Sequence, residues 1–406
     1  MAQPTLNPSH EKPTFGDAFN PRQNAFGPLR LVLAVLVIFS HSFPLGGFGP
    51  EPLVSLTHGR QTIGLVAVAM FFVLSGFLIT RSASQSVSVG RFVWHRFLRI
   101  FPGYWVCLIV CAFVFAPLIA LVEHGTVMRI FSAPRASPQE YVLHNAALFH
   151  LNDFSLLGVV NIWPQGFAGL LARNPTAHVI NGSLWTLPFE VACYAGIAAL
   201  ALCGLVRRGR VVFLALFLGL YFLYAYSFLD PQSFDRSFRV PGLQVFIPLA
   251  LSFSAGSLCF VYRDKVPFSG WIFAVSVVAL AVSLPLGFFS LAMPVFMTYA
   301  FFWLAFTFSF PRFDAKGDYS YGTYIYAFPV QQALALAGLQ EEGLVLYFSA
   351  SLVITVMLAV LSYRLVEAPA LRWKNADLLA SIRNRIGRPT SPAVVTTETE
   401  PVGVEA

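Results

Sequence analysis

Residues 29–48 read LRLVLAVLVIFSHSFPLGGF, the first long apolar run of the chain. A run of about 20 mostly apolar residues is long enough for a helix to cross a hydrocarbon layer about 30 Å thick. Two ionisable side chains, Arg30 and His41, interrupt it. Ionisable groups are costly inside a bilayer, so each is by default a functional-site hypothesis. Eleven helical steps of about 100° total roughly 1100°, about 20° past three turns, which puts the two on one face about 16 Å apart along the axis. If Arg30 marks one edge of the hydrocarbon, His41 lies past mid-depth.

The whole chain has the composition of a protein dissolved in lipid. Of its 406 residues 57% are hydrophobic and 11% charged, against roughly 45–50% and 25% in soluble domains. The formal charge of +7 does not indicate nucleic acid, because the basic residues are scattered through loops between apolar runs and form no basic soluble face. Ten spans are expected, at about 29–48, 62–80, 101–121, 184–206, 211–229, 244–262, 268–288, 291–310, 319–338 and 343–363. The seventh and eighth are the least separated, with Pro285 and Pro294 interrupting their pattern. The expected fold is an all-α, polytopic helical bundle with about ten transmembrane helices.

Charge distribution sets the orientation. With both termini cytoplasmic, only Arg60, Arg129, Arg135, Arg173, Arg236 and Arg239 of the 26 basic residues fall on the outer side, a bias that follows the positive-inside rule. The predicted location is a multi-pass position in a bacterial inner membrane. Residues 1–28 read as a polar cytoplasmic tail without the apolar core of a cleavable signal peptide, residues 29–371 as the membrane domain, and residues 372–406 as a mostly disordered cytoplasmic tail. The segment at about 122–183, with Pro134, Pro138, Pro164 and Pro175, is expected to cap the outer mouth. The five cysteines fall within predicted spans without a His or carboxylate cluster beside them, so they read as small packing residues. No metal site and no tightly bound cofactor are expected.

Several blocks resemble the acyltransferase 3 family of integral membrane acyltransferases. RLVLAVLVIFSH, Arg30 to His41, resembles that family's Arg-x10-His signature, and MFFVLSGFLIT, Met70 to Thr80, its second-span consensus. RFVWHRFLRIFPGYW, Arg91 to Trp105, contains an Arg-x-x-Arg element followed by aromatic-Pro-x-Tyr. GSLWTLPFE (182–190), YSYGTYIYAFPV (319–330) and VEAPAL (366–371) are similar to later blocks, and all occur in the family's order. The resemblance implies transfer of an acyl group, usually acetyl, from cytoplasmic acetyl-CoA or another acyl-CoA to a hydroxyl of a carbohydrate, glycolipid or other envelope acceptor. The acyl-CoA would be a co-substrate.

The residues themselves are compatible with that chemistry. A hydroxyl is a poor nucleophile near neutral pH, and the ordinary pKa of His suits a general base, the role expected of His41; the alternative is a His bonded for packing. Arg30 either snorkels to headgroups or holds the donor along the groove leading to His41. Arg96 and Arg99, three residues apart, face one way, and their planar guanidiniums suit the phosphates of coenzyme A; topology anchoring is the other reading. Arg91 and His95 extend that patch. Glu190 needs a partner if buried, and either supports His41 or pairs with a structural Arg. Ser183 and Trp185 are expected at the outer mouth, against a sugar acceptor. Of Tyr319, Tyr321, Tyr324 and Tyr326 most read as an aromatic belt, and the deeper tyrosines of that helix, with Gln331 and Gln332, as the lining of a polar path for donor or acceptor. Two rival classes fit the same polar residues: a transporter or flippase of envelope precursors with Arg30, His41 and Glu190 as a proton relay, and a non-catalytic assembly subunit.

Overall fold

In lipid every backbone N–H and C=O must be satisfied within the protein, which drives long apolar runs into helices. The computed structural model describes residues 12–128, 137–148, 179–238, 242–314 and 317–375, and no β-sheet forms among them. Ten principal helices follow in order: α1 Phe26–Gly46, α2 Ile63–Gln85, α3 Val89–Val110, α4 Leu187–Leu202, α5 Arg210–Leu229, α6 Leu243–Val261, α7 Gly270–Ser283, α8 Phe289–Thr307, α9 Ser320–Leu336 and α10 Leu344–Ser362. A π-helical turn, Cys111–Phe115, carries α3 on into a further helix, Ala116–His124. A 3-10 turn, Gly182–Thr186, leads directly into α4.

Eight of these, with their extensions, are long and apolar enough to cross a membrane. Each of the ten expected spans contains a helix, but among the described residues eight helices reach spanning length and two fall short of it. α7 has 14 residues because the chain turns through Pro285 and through Gly287, whose φ is +73°. α9 has 17 residues and ends at Gly338, with φ +82°. It is nearly all buried, so neighbouring helices rather than lipid surround it and it need not be uniformly apolar.

The packed region begins earlier than the boundary expected at residue 29. Thr14 and Asp17 form a capping box on the short helix Phe15–Ala18. The backbone N–H groups of Phe15 and Gly16 donate to Val266 and Arg263. Phe15 is fully buried against Tyr299 and Phe306, and Phe19 lies edge-on to Phe77. The polar composition of this stretch conceals three well-placed aromatic anchors, Phe15, Phe19 and Phe26. The expected cap over the outer mouth and the expected terminal disorder concern segments that lie largely outside the described residues.

α2 is central. A Cβ at Gly76 would stand 1.9 Å from the Phe253 carbonyl oxygen of α6, and one at Gly256 would stand 1.8 Å from that of Val73. Only glycine permits this backbone approach. Ser257 Oγ adds a bond of 3.2 Å to Gly76 O. The crossing holds one face of α2 open toward α1, α3, α4 and α9, where polar side chains collect.

Candidate active site

Pro329 sits inside α9 and has no N–H to offer the carbonyl four residues back. That carbonyl, Ile325 O, instead accepts from Asn181 Nδ2 at 2.8 Å and from Cys107 Sγ at 3.4 Å. Asn181 also receives the Ser183 N–H at 3.1 Å, capping the 3-10 turn. One proline thus fixes the start of α4 against α9 and α3.

At the opposite end of α9, Asp318 gathers the basic residues. Its Oδ2 accepts from Arg30 Nη1 at 2.8 Å and Arg99 Nη2 at 2.5 Å. Its Oδ1 accepts from the Ser320 N–H and Oγ, which begins α9. Burial would raise this carboxyl, but Arg99, Arg30 and Ser320 hold it well below the usual carboxylate range. Arg96, one turn from Arg99, has no hydrogen-bond partner for its Nε among the described residues.

These groups line a cavity of about 490 Å³. Its wall on α2 runs Val68, Phe71, Phe72, Ser75, Leu78, Ile79, Ser82, Gln85, the three-and-four spacing of one helix face, and covers about 26 Å along the axis. The far half is apolar and the near half charged, with Arg30, Arg81, Arg96, Arg99 and Lys374 against Glu190 and Asp318. The wall is therefore net cationic. Lys374 is held at the mouth because His95 Nε2 donates to its carbonyl at 3.1 Å and Trp94 Nε1 to that of Trp373 at 3.2 Å. Burial, with Arg96 and Arg99 nearby, lowers the Lys374 ammonium pKa. Glu190 accepts from Tyr194 OH and from Ser75 Oγ at 3.3 Å. At the inner end Thr186 Oγ1 and Tyr324 OH lie 2.8 Å apart.

Arg30, Arg96, Arg99 and Glu190 are therefore brought together. His41 is not among the residues lining the cavity. Its ring stands edge-on to Phe328, with centroids 5.3 Å apart, one turn along α9 from Tyr324. Arg30 and His41 both face α9 or the residues just before it, in keeping with the shared helix face. Gln331 pins α1 at this level, its Nε2 donating to Ile38 O and Ser42 Oγ at 2.9 Å each. Gln332 donates to Val179 O, so both glutamines tie elements together and neither lines the cavity. Of the tyrosines, Tyr321 and Tyr324 line it.

Glu190 shares a cavity with Arg96 and lies against Ser75 at the middle of α2. Ser183 is fully buried, and Trp185 is partly buried and packed against Phe189. Sequence reasoning missed Asp318, Lys374, Ser75, Thr186, Tyr194 and Asn181. Asp318 had one usable signal, its place immediately before the tyrosine-rich block that opens α9.

A bundle of long apolar helices with a cationic cavity among them defines a multi-pass membrane protein. The acyltransferase domain profile matches residues 28–364, and the chain belongs to this family, acyltransferase 3. It is 30% identical over 356 residues to an O-acetyl transferase of Shigella phage Sf6, covering 85% of this chain and 95% of that one. It is also 27% identical over 380 residues to nodulation protein 10 of Rhizobium leguminosarum bv. viciae, covering 87% and 95%. No solved structure matches the chain.

Proposed function

We propose that this acyltransferase moves an acetyl group from acetyl-CoA to a hydroxyl of an envelope glycan or glycolipid. The observation that carries the reading is the cavity: a basic mouth for phosphates, then a slot about 26 Å long for a flexible arm. Arg96 has an uncommitted donor, and Arg99, Lys374 and Arg81 stand beside it, suited to the coenzyme's phosphates. The pantetheine arm runs along α2 past Ser75 and Glu190 toward Thr186 and Tyr324. The mouth faces the cytoplasm in this reading, because Arg81, Arg91, Arg207, Arg208, Arg210 and Arg263 crowd that end while Arg60 and Arg236 lie at the other. The site belongs to the bacterial inner membrane.

His41 takes the proton of the acceptor hydroxyl as its oxygen attacks the thioester carbonyl. The carbon–sulfur bond then breaks, and the coenzyme thiolate recovers the proton from the imidazolium. Glu190, bonded by Tyr194 and Ser75, balances the basic wall instead of orienting His41. Membership in an acyltransferase family and a one-sided cationic mouth favour this chemistry over a proton relay for transport.

The test is transfer of radiolabelled acetyl from acetyl-CoA, supplied to the cytoplasmic face of membrane vesicles, into their carbohydrate fraction. Label enters with wild type and falls by about 10²–10⁴ with His41→Ala, the usual contribution of a positioned base. Unchanged transfer with a folded His41→Ala protein rejects the assignment.

A further inference from the structure

The cavity and His41 do not meet. In the cavity wall Thr186 and Tyr324 are hydrogen-bonded to each other at 2.8 Å. One turn farther along α9, about 6 Å, lies Phe328. Four residues before Thr186, on the other wall, lies Gly182. These two meet: a Cβ at Gly182 would fall 2.5 Å from the Phe328 ring, and the ring is fully buried. The same ring lies nearly perpendicular to that of His41, with centroids 5.3 Å apart. Tyr324 lines the cavity and Phe328, one turn on, packs against the imidazole, so the two rings stand in succession between the cavity wall and His41. Tyr324 and Phe328 enter these contacts through side chains that turn about their own bonds, and Pro329 relieves the adjacent helix of a backbone bond at that level.

Resting on the acetyl-transfer reading above, we infer that Phe328, backed by the Thr186–Tyr324 pair, is a barrier that keeps the donor's thioester away from His41 until an acceptor is seated. The reaction it suppresses is hydrolysis. Water would lose a proton to His41 as its oxygen attacks the thioester carbonyl, the carbon–sulfur bond would break, and acetate and the coenzyme thiol would leave. A base able to activate a sugar hydroxyl is able to activate water, so an acetyl-CoA site open to His41 would waste its donor. Gly182 is the residue that leaves room for the Phe328 ring to close.

The experiment follows labelled acetyl-CoA in membrane vesicles into two products, free acetate and acetylated carbohydrate, and reads their ratio. Tyr324→Phe keeps the ring and removes only the hydroxyl that meets Thr186. It raises the ratio about tenfold, the factor that one lost hydrogen bond makes in an opening equilibrium. Phe328→Ala raises it further, and adding His41→Ala to Phe328→Ala removes the excess acetate. Variants that lower both products at a constant ratio would show that these side chains only support the fold, which overturns the barrier. Should wild type acetylate no carbohydrate, the acetyl-transfer reading falls and the barrier with it; if wild type does transfer, only the ratio decides.

Discussion

Asp318 has both guanidiniums, Arg30 and Arg99, on one carboxylate oxygen and a serine on the other. Removing its charge leaves two cations facing each other, and Asp318→Asn is expected to lower stability by about 1.5–3 kcal/mol, the range for hydrogen bonds to charged groups, read as a lower melting temperature in detergent. Because its folded pKa lies below the unfolded value of about 3.9, the stabilisation is complete above that value and is lost as pH falls toward the folded one. The gap between wild type and variant should stay level from about pH 5 to 9 and narrow only below about pH 4. Arg96→Gln should raise the KM for acetyl-CoA about tenfold with little change in kcat, since a charge-assisted bond made equally in ground and transition states changes binding alone. Arg30, His41 and Glu190 stood out in the sequence because a charge in an apolar run demands a reason, and Arg96 and Arg99 because of their Arg-x-x-Arg spacing. Asp318 and Lys374 were not, since charges between helices are ordinary. The hydroxyls of Ser75, Thr186 and Tyr194 left no trace either, because a Ser or Thr in a helix satisfies itself on its own backbone and a Tyr fits an interfacial belt.

The α2–α6 crossing rests on Gly76 and Gly256, where the opposing atoms are backbone oxygens that cannot swing aside. Gly256→Ala should cost at least the roughly 1–3 kcal/mol of an overpacked core, measured as a lower melting temperature of the solubilised protein. Gly196→Ala in α4, with nothing within 4 Å of the new methyl, serves as the neutral control. Hydropathy located every principal helix, because length and apolarity are what lipid demands. It overestimated α7 and α9 for different reasons. α7 is cut by a turn whose proline and left-handed glycine were visible but easily read as a kink. α9 is sheathed by protein, so its Gln331, Gln332 and tyrosines obey rules of internal hydrogen bonding that a hydropathy window does not measure. The role of Pro329, freeing Ile325 O for Asn181, requires knowing which helix lies alongside.

Of the five cysteines, Cys203 is exposed and Cys107, Cys111, Cys193 and Cys259 are buried. Cys203 lies where α4 ends, near Arg207, which donates to Ser84 O beside the cavity mouth. A membrane-impermeant maleimide should therefore label one native thiol, in inverted vesicles and not in right-side-out ones, and Cys203→Ser should abolish the signal. Labelling from the other face would reverse the orientation of the whole bundle. The amino-terminal strap has a consequence of another kind. Phe15 is buried against Phe306, and the Ala25 N–H donates to Ala305 O, so the strap that precedes α1 is seated on α8. All of the chain from α1 through α8 must be synthesised and inserted before this clasp can close. Nascent chains released before α8 should expose the Phe15 region to protease, and chains released after it should protect that region, making the strap a timestamp for completed assembly.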